Sequence, residues 1–178
     1  MSFNLLVSCP RGKESMARSE LAYFLSDLGD NAPRISKTRF SGLLEAFTSL
    51  DPFIVVERAK EEALENPWNF RYVTKIVPIE KVVSTNLDEI TKAARELENE
   101  LSKCESFRVT VVKRDSSLEG DRVVSEVASL SSQRVDLKNP SCVFLIEVVG
   151  EVTGIAILKK SVFSLQRTIN GVERITKI

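Results

Sequence analysis

The sequence of 178 residues contains no histidine. Histidine is the side chain that most often acts as a general base near neutral pH, and it is also the commonest protein ligand for metals. Its absence excludes the catalytic dyads and triads in which an imidazole activates a serine or cysteine. We therefore expect neither a metal site nor a catalytic residue in this chain.

Cysteine is scarce, and long apolar runs are missing. Cys9, Cys104 and Cys142 are far apart and form no CxxC pair. An odd number of cysteines without a recognisable secretory leader fits a reducing cytoplasm better than a disulfide framework. We expect Cys104 and Cys142 to be packing residues. Because no run of about 18 apolar residues occurs, no membrane span is expected, and the predicted location is cytoplasmic.

The chain has no excess of charge of either sign, with 25 basic and 25 acidic side chains. This argues against a uniformly basic protein that coats nucleic acid. The charges are nevertheless segregated. Residues 80–105 contain four basic and seven acidic side chains, whereas residues 106–178 contain eleven basic and eight acidic ones. Any nucleic-acid site is therefore expected in the last part of the chain.

Two groups of residues could indicate chemistry, but neither has the required pattern. The Arg11-Gly12-Lys13-Glu14 turn lies between a strand and a helix, as a phosphate-binding loop would. A Walker A loop requires glycine at the position of Val7 and serine or threonine at that of Glu14. The pairs Glu61-Glu62 and Glu96/Glu100 fit solvated helix faces better than buried acid–base pairs. A capped turn is predicted, and no cofactor is expected.

Residues 1–78 read as strand, helix, strand, strand, helix, strand, the order of a ferredoxin-like domain. The first helix is predicted from Ala17, Leu21, Phe24 and Leu28, which recur at helical spacing. The second is predicted to start at Asp51-Pro52, because aspartate caps helix N-termini and proline suits the first turn. The last strand is predicted over residues 68–77.

Residues 79–178 are predicted as a second, α/β domain. A helix capped by Thr85 or Asn86 precedes a strand over residues 107–113, and a capping box at Ser116-x-x-Glu119 is expected to open another helix. Two apolar strands, 142–149 and 152–158, form a hairpin across Gly150-Glu151. The tail, residues 161–178, is predicted as weak helix or irregular structure. The fold class is therefore α+β.

The second domain also carries a group of cations, several of them near the predicted ends of its strands and helices. A rigid scaffold that presents positive charge without adjacent catalytic groups indicates binding of a polyanion. The group comprises Arg108, Lys113, Arg114, Arg122, Arg134, Lys138, Lys159 and Lys160.

The order of elements and several short segments resemble the THUMP domain, a module of tRNA-modification systems. The resembling segments are Arg71 to Pro78, Leu87 to Leu101, Phe107 to Arg114, Ser116-Ser117, Val135 to Pro140 and the hairpin through Gly154-Ile155. The resemblance implies a ferredoxin-like domain at 1–78 followed by a THUMP domain at 79–178. The chain departs from the family at Ser141, where aspartate is frequent, and at Lys75, where arginine is frequent.

Within that family the chain resembles the stand-alone adaptors of tRNA cytidine acetylation, in Arg11-Gly12, Glu14 and Gly42-Leu43-Leu44. The resemblance implies a non-catalytic protein that binds tRNA and presents it to a separate tRNA cytidine acetyltransferase. The residues expected to bind RNA are Arg108, Lys113, Arg114, Arg122, Lys138 and Lys159, with Arg71 and Lys75 contributing near the domain junction.

Three alternatives stay open at this level. The chain could be the RNA-binding subunit of another tRNA-modifying enzyme, for thiolation or methylation. It could be an RNA-modifying enzyme with an unrecognised site, for which the Arg11 to Glu14 turn is the best support. It could also be an assembly subunit that binds protein and whose basic residues only keep it soluble.

Overall fold

The computed structural model describes residues 2–159, 162–167 and 173–175. The chain divides into two compact units, one of residues 1–79 with 161–178 and one of residues 80–160. No helix in the described part of the chain is long and apolar enough to cross a membrane.

Eleven strands and five α-helices are described across the two units. In chain order they are β1 (Leu5–Ser8), α1 (Glu14–Asp27), β2 (Arg34–Lys37), β3 (Leu43–Phe47), α2 (Pro52–Glu65), a short 3-10 helix (Pro67–Asn69), β4 (Lys75–Pro78), β5 (Lys81–Ser84), α3 (Leu87–Glu96), α4 (Glu98–Leu101), β6 (Ser106–Arg114), α5 (Gly120–Ser129), β7 (Arg134–Val135), β8 (Cys142–Val149), β9 (Val152–Leu158), β10 (Phe163–Arg167) and β11 (Glu173–Ile175).

The first unit contains an antiparallel sheet in the order β11-β10-β4-β1-β3-β2, in which β1 to β4 and the helices α1 and α2 have the predicted ferredoxin-like arrangement. The inward face of α1 is buried as its spacing predicts, at Ala17, Leu21 and Phe24. The Asp51 carboxylate caps α2 by accepting hydrogen bonds from the backbone N–H groups of residues 53 and 54.

The strand predicted over residues 68–77 begins only at Lys75. The carboxylate of Glu20, from α1, accepts the backbone N–H groups of residues 71, 72 and 73 at 2.6, 3.0 and 2.6 Å. These donors are therefore not available to a strand ladder. Phe70 is buried in the core from this loop, where its ring lies against Phe24 and Phe163.

The tail also differs from the prediction of helix or irregular structure, because it contributes two strands. β10 pairs antiparallel with β4, placing Phe163 opposite Ile76, and β11 pairs with β10. The prediction assigned residues 161–178 to the second domain, whereas the structure groups them with the first unit. Phe163 and Leu165 are buried in the core of that unit, and burial of these apolar side chains favours the pairing of β10 with β4.

The second unit contains a five-stranded sheet in the order β5-β9-β8-β6-β7, with β6 parallel to both β7 and β8. The hairpin of β8 and β9 is formed as predicted, and the apolar β8 lies between two neighbouring strands. The side chain of Asn86 accepts the N–H of Glu89 and caps α3. The buried residues of α3 and α5 cover one face of the sheet.

In this unit one strand occurs where none was predicted, and one local prediction is wrong. Strand β5, which pairs with β9, was not anticipated. The proposed capping box does not form, because the Ser116 hydroxyl accepts from the N–H of Leu118 while α5 begins only at Gly120. The Ser116 side chain therefore stabilises a local turn, a use of serine that competes with helix capping.

Cys104 and Cys142 form a disulfide, although both were predicted as unbonded packing residues. Cys142 pairs with Phe107 across the parallel ladder, and Cys104 precedes Phe107 by three residues. The register therefore brings the two Cα atoms to 6.0 Å despite 38 residues of separation in the sequence. Cys9 is buried and free, and its burial raises the pKa of its thiol.

Candidate nucleic-acid interface

The predicted RNA-binding residues of the second unit lie at two ends of one sheet. Strand β6 carries Arg108 near its start and Lys113 and Arg114 at its end. At about 3.3 Å per residue, Arg108 and Lys113 are separated by roughly 17 Å along the strand. The cations therefore form two groups rather than a single patch.

At the end of β6, Lys113 and Arg122 lie beside the same surface groove. Lys113 donates from Nζ to the backbone oxygen of Leu118 at 2.9 Å, and Arg122 is exposed on the first turns of α5. The groove has a volume of about 360 Å³ and lies where α3 and α5 begin. It is lined by Thr85, Asn86, Leu87, Ser116, Ser117, Leu118, Glu119, Arg122 and Val123.

Arg114 has a different environment from Lys113, its neighbour in the sequence. Its Nη1 lies 2.7 Å from Oε2 of Glu147 on β8, and the Glu147 side chain is only 2% exposed. The Arg114 side chain is 28% exposed. A buried carboxylate needs a counter-charge, and Arg114 supplies it. Arg114 therefore stabilises the sheet through this ion pair, and binding a phosphate would require it to leave Glu147.

At the other end of β6, Arg108 borders an exposed loop. Its Nη1 donates to the backbone oxygen of Leu137 at 3.2 Å. The carboxylate of Asp136 accepts the N–H groups of Lys138 and Asn139, which fixes the turn and lowers the pKa of Asp136. The Lys138 side chain is exposed on this turn. The loop thus presents a cation from a backbone held in one conformation.

Arg134 is not among the residues expected to bind RNA, although it lies on the edge strand β7 beside this loop. Its side chain is 73% exposed and lies 3.5 Å from Asp136. Lys159 is also exposed, with Nζ 3.5 Å from Oε2 of Glu100. Exposed ion pairs of this kind are weak, so both cations can exchange a carboxylate for a phosphate at little cost. The sequence offers one signal for Arg134, because this residue directly precedes the segment Val135 to Pro140 that resembles the THUMP domain.

Arg71 and Lys75 belong to the first unit. The Arg71 side chain is exposed beyond the loop that Glu20 holds. Lys75 lies in β4 and is half-buried; since Ile76 faces the helices, strand alternation places Lys75 on the opposite face. Lys160 lies outside the described residues.

The Arg11 to Glu14 turn, the best support for an unrecognised enzyme, has a structural use. The Glu14 carboxylate accepts the N–H groups of Gly12 and Gly42 and the Ser41 hydroxyl, at 3.1, 2.7 and 3.3 Å. Gly42 has φ of +80°, and a Cβ there would lie 2.6 Å from the backbone oxygen of Cys9. Glu14 therefore ties the turn before α1 to the turn before β3.

This arrangement predicts a pH dependence of stability. Backbone N–H donors lower the pKa of Glu14 from 4.5 to about 2. Because the folded-state pKa is depressed, the stabilisation is present above pH 4.5 and is lost as the pH falls toward about 2. Glu14→Gln should be less stable than the wild type at neutral pH, and the difference should shrink on acidification. Thermal unfolding at a series of pH values checks this; a constant difference would contradict it.

Comparisons with known proteins bear on the second unit and on the fold. Residues 84–158 match the family model of the THUMP domain, which confirms the predicted domain type. No curated protein matches the chain in sequence. Among solved structures, PH1313 from Pyrococcus horikoshii Ot3 is similar with a TM-score of 0.63 and 16% identity, covering 89% of this chain and 55% of the other.

Two further solved structures share the fold. TrmN from Thermus thermophilus has a TM-score of 0.57 and 17% identity, covering 89% of this chain and 46% of that protein. A 4-thiouridine synthetase, solved with RNA and ATP, has a TM-score of 0.56 and 15% identity, covering 88% of this chain and 41% of that protein. The chain thus spans about half the length of these proteins, and at such identities the likeness concerns the fold alone.

Proposed function

Residues 84–158 form a THUMP domain, and from this premise we propose that the chain is a tRNA-binding adaptor that presents tRNA to a separate acetyltransferase forming 4-acetylcytidine. THUMP domains occur in tRNA-modification systems and bind RNA, and the observation that carries the proposal is this domain with exposed cations at both ends of β6. The non-catalytic role and the acetyltransferase partner are parts of the proposal, and the resemblance described above supports them.

The proposed mechanism is electrostatic and geometric. Exposed lysines and arginines neutralise phosphates, and each phosphate contact releases condensed counterions. Double-stranded RNA is recognised mostly through its shape and backbone, because side chains cannot read its deep, narrow major groove. Two cationic groups held about 17 Å apart by one strand suit this kind of recognition, since they set the register of the protein on folded RNA.

Removing the exposed cations should weaken tRNA binding at each end of the sheet. For Lys113→Ala/Arg122→Ala and for Arg134→Ala/Lys138→Ala we expect affinity at about 0.1 M salt to fall roughly tenfold to a hundredfold, with the salt slope reduced by about 1.5. Filter-binding titrations with total tRNA over a range of salt concentrations measure both quantities.

A matched control removes the same charge elsewhere. Arg58→Ala/Lys60→Ala takes two cations from α2 in the first unit, where both pair with glutamates. It should leave tRNA affinity within about twofold, because α2 lies outside the THUMP domain and carries more acidic than basic side chains, which repel phosphates. If neither THUMP-domain pair weakens binding more than this control, the proposed interface is wrong. If the wild type itself has no salt-dependent tRNA affinity, the adaptor proposal fails.

A second candidate function rests on the coverage of the structural comparisons. The chain corresponds in fold to part of TrmN and part of a 4-thiouridine synthetase. It could therefore be the RNA-binding part of a methylation or thiolation system. Reconstitution separates the candidates: the adaptor proposal expects the chain to stimulate 4-acetylcytidine formation by a purified tRNA cytidine acetyltransferase, and stimulation of thiolation or methylation instead would favour the second.

A further inference from the structure

The segment that follows α2 holds the only tryptophan of the sequence in a fixed, exposed position. Trp68 lies in the 3-10 helix and is 68% exposed. One Glu62 oxygen accepts from the side-chain amides of Asn66 and Asn69, on either side of Trp68. The buried ring of Phe70 anchors the chain immediately afterwards. The backbone around Trp68 is thus pre-organised, and an exposed aromatic on such a backbone loses little conformational freedom on binding.

Two further apolar residues are exposed on the outer face of α2, with charged side chains between them. Ile54 is 59% exposed and Leu64 is 73% exposed, at opposite ends of the helix. Both lie on the side away from Val55, Ala59 and the other core residues of α2. Large aliphatic side chains exposed to this degree on one helix face, next to an exposed tryptophan, are typical of a protein-binding surface.

The charge of this face determines the kind of partner. Residues 51–66 contain five acidic and two basic side chains. Among the acids, Glu61 and Glu65 are exposed on α2 close to Leu64; Glu61 already pairs with Arg58 at 2.8 Å, so the carboxylate that this face offers to a basic partner is that of Glu65. Carboxylates here repel phosphates and therefore disfavour RNA. They complement lysines and arginines on a protein, and their like charge disfavours pairing of this face with itself in a second copy of the chain.

We propose that the α2 surface, defined as Ile54, Leu64, Glu65 and Trp68, docks a protein that offers an apolar pocket for Trp68 and a basic rim for Glu65. The inference rests on the proposed function in taking the tRNA cytidine acetyltransferase as that protein. One chain then has two surfaces of opposite character: a basic one on the THUMP domain for tRNA and an acidic, apolar one on the first unit for the enzyme.

The test measures binding of the full chain to the purified tRNA cytidine acetyltransferase and, separately, to tRNA. Trp68→Ala should weaken binding to the enzyme by roughly 30-fold or more, as expected for a central aromatic residue of an interface. Glu65→Lys should weaken it at low salt and less so at high salt, because it reverses a complementary charge. A lysine at the end of α2 is favourable to the helix, so loss of folding is not expected.

A control and the tRNA measurement distinguish the outcomes. Tyr23→Ala removes another exposed aromatic of the first unit, 77% exposed on α1, and should leave enzyme binding unchanged; an equal loss from Tyr23→Ala and Trp68→Ala would overturn the α2 surface. Unchanged tRNA affinity in Trp68→Ala supports a protein partner, whereas weaker tRNA binding, with tighter binding by Glu65→Lys, would assign the surface to RNA. If the wild type and Trp68→Ala bind the enzyme equally well, only this inference is overturned. If the wild type does not bind the enzyme at all, the adaptor proposal is overturned as well.

Discussion

Reduction of the Cys104–Cys142 disulfide should lower the free energy of unfolding of the second unit by about 4 kcal/mol, the loop-entropy value for the 38-residue separation. The bond joins the turn before β6 to the start of β8, and both residues are buried in the core of that unit. In the reduced chain the unfolded state regains the freedom of the connecting segment, and the native packing must hold without the covalent tie.

Urea denaturation with and without a phosphine reductant measures this effect. Circular dichroism follows the unfolding of both units. Trp68 and the two tyrosines lie in the first unit, so intrinsic fluorescence follows that unit alone. A shift of the transition that appears in circular dichroism but not in fluorescence therefore places the loss of stability in the second unit. Cys104→Ala/Cys142→Ala should unfold identically with and without reductant. Cys9→Ala should keep the reductant effect. Three alkylatable thiols in the denatured, unreduced protein would contradict the prediction.

The parts of the fold that the sequence predicts are those specified by local interactions. The inward residues of α1 and the Asp51 cap of α2 follow from spacings of a few residues, and the hairpin of β8 and β9 follows from two apolar runs around Gly150. In each case the residues that decide the structure are neighbours in the chain. Helical periodicity, capping and turn preferences are therefore sufficient.

The features that the sequence does not predict depend on long-range contacts. Glu20 delays the start of the predicted strand by accepting N–H groups more than 50 residues away. The disulfide requires the parallel register of β6 and β8, and the tail becomes a strand only because β4 offers it a free edge. No local pattern encodes these pairings, so propensity alone favours the wrong structure.

The same limit applies to the candidate site. Composition located an excess of cations in residues 106–178, with eleven basic and eight acidic side chains, and the short segments suggested the domain type that the family model supports. Charge patterns could not separate Lys113, which is exposed, from Arg114, which faces a buried carboxylate on another strand. Strand alternation predicts that the two point to opposite faces, but not that the Arg114 side chain reaches Glu147, which lies opposite Val112 in the neighbouring strand.

Arg114→Ala should destabilise the protein by about 2–3 kcal/mol, because it leaves the buried Glu147 carboxylate without its counter-charge. This estimate is below the usual loss for a fully buried pair, because the Arg114 side chain is 28% exposed and water can partly replace it. The loss should appear in chemical denaturation of the second unit. Lys113→Ala, one residue earlier and exposed, is the matched control and should change stability by less than about 0.5 kcal/mol.

Removing both charges distinguishes a packing role from an RNA contact. Arg114→Leu/Glu147→Leu leaves no uncompensated charge, so it should recover most of the stability that Arg114→Ala loses. If Arg114 serves only the sheet, this double variant should also bind tRNA within about twofold of the wild type. A double variant that is stable but binds tRNA tenfold more weakly or worse would return Arg114 to the RNA-binding residues. Since both measurements use the same folded protein, loss of structure cannot be mistaken for loss of a phosphate contact.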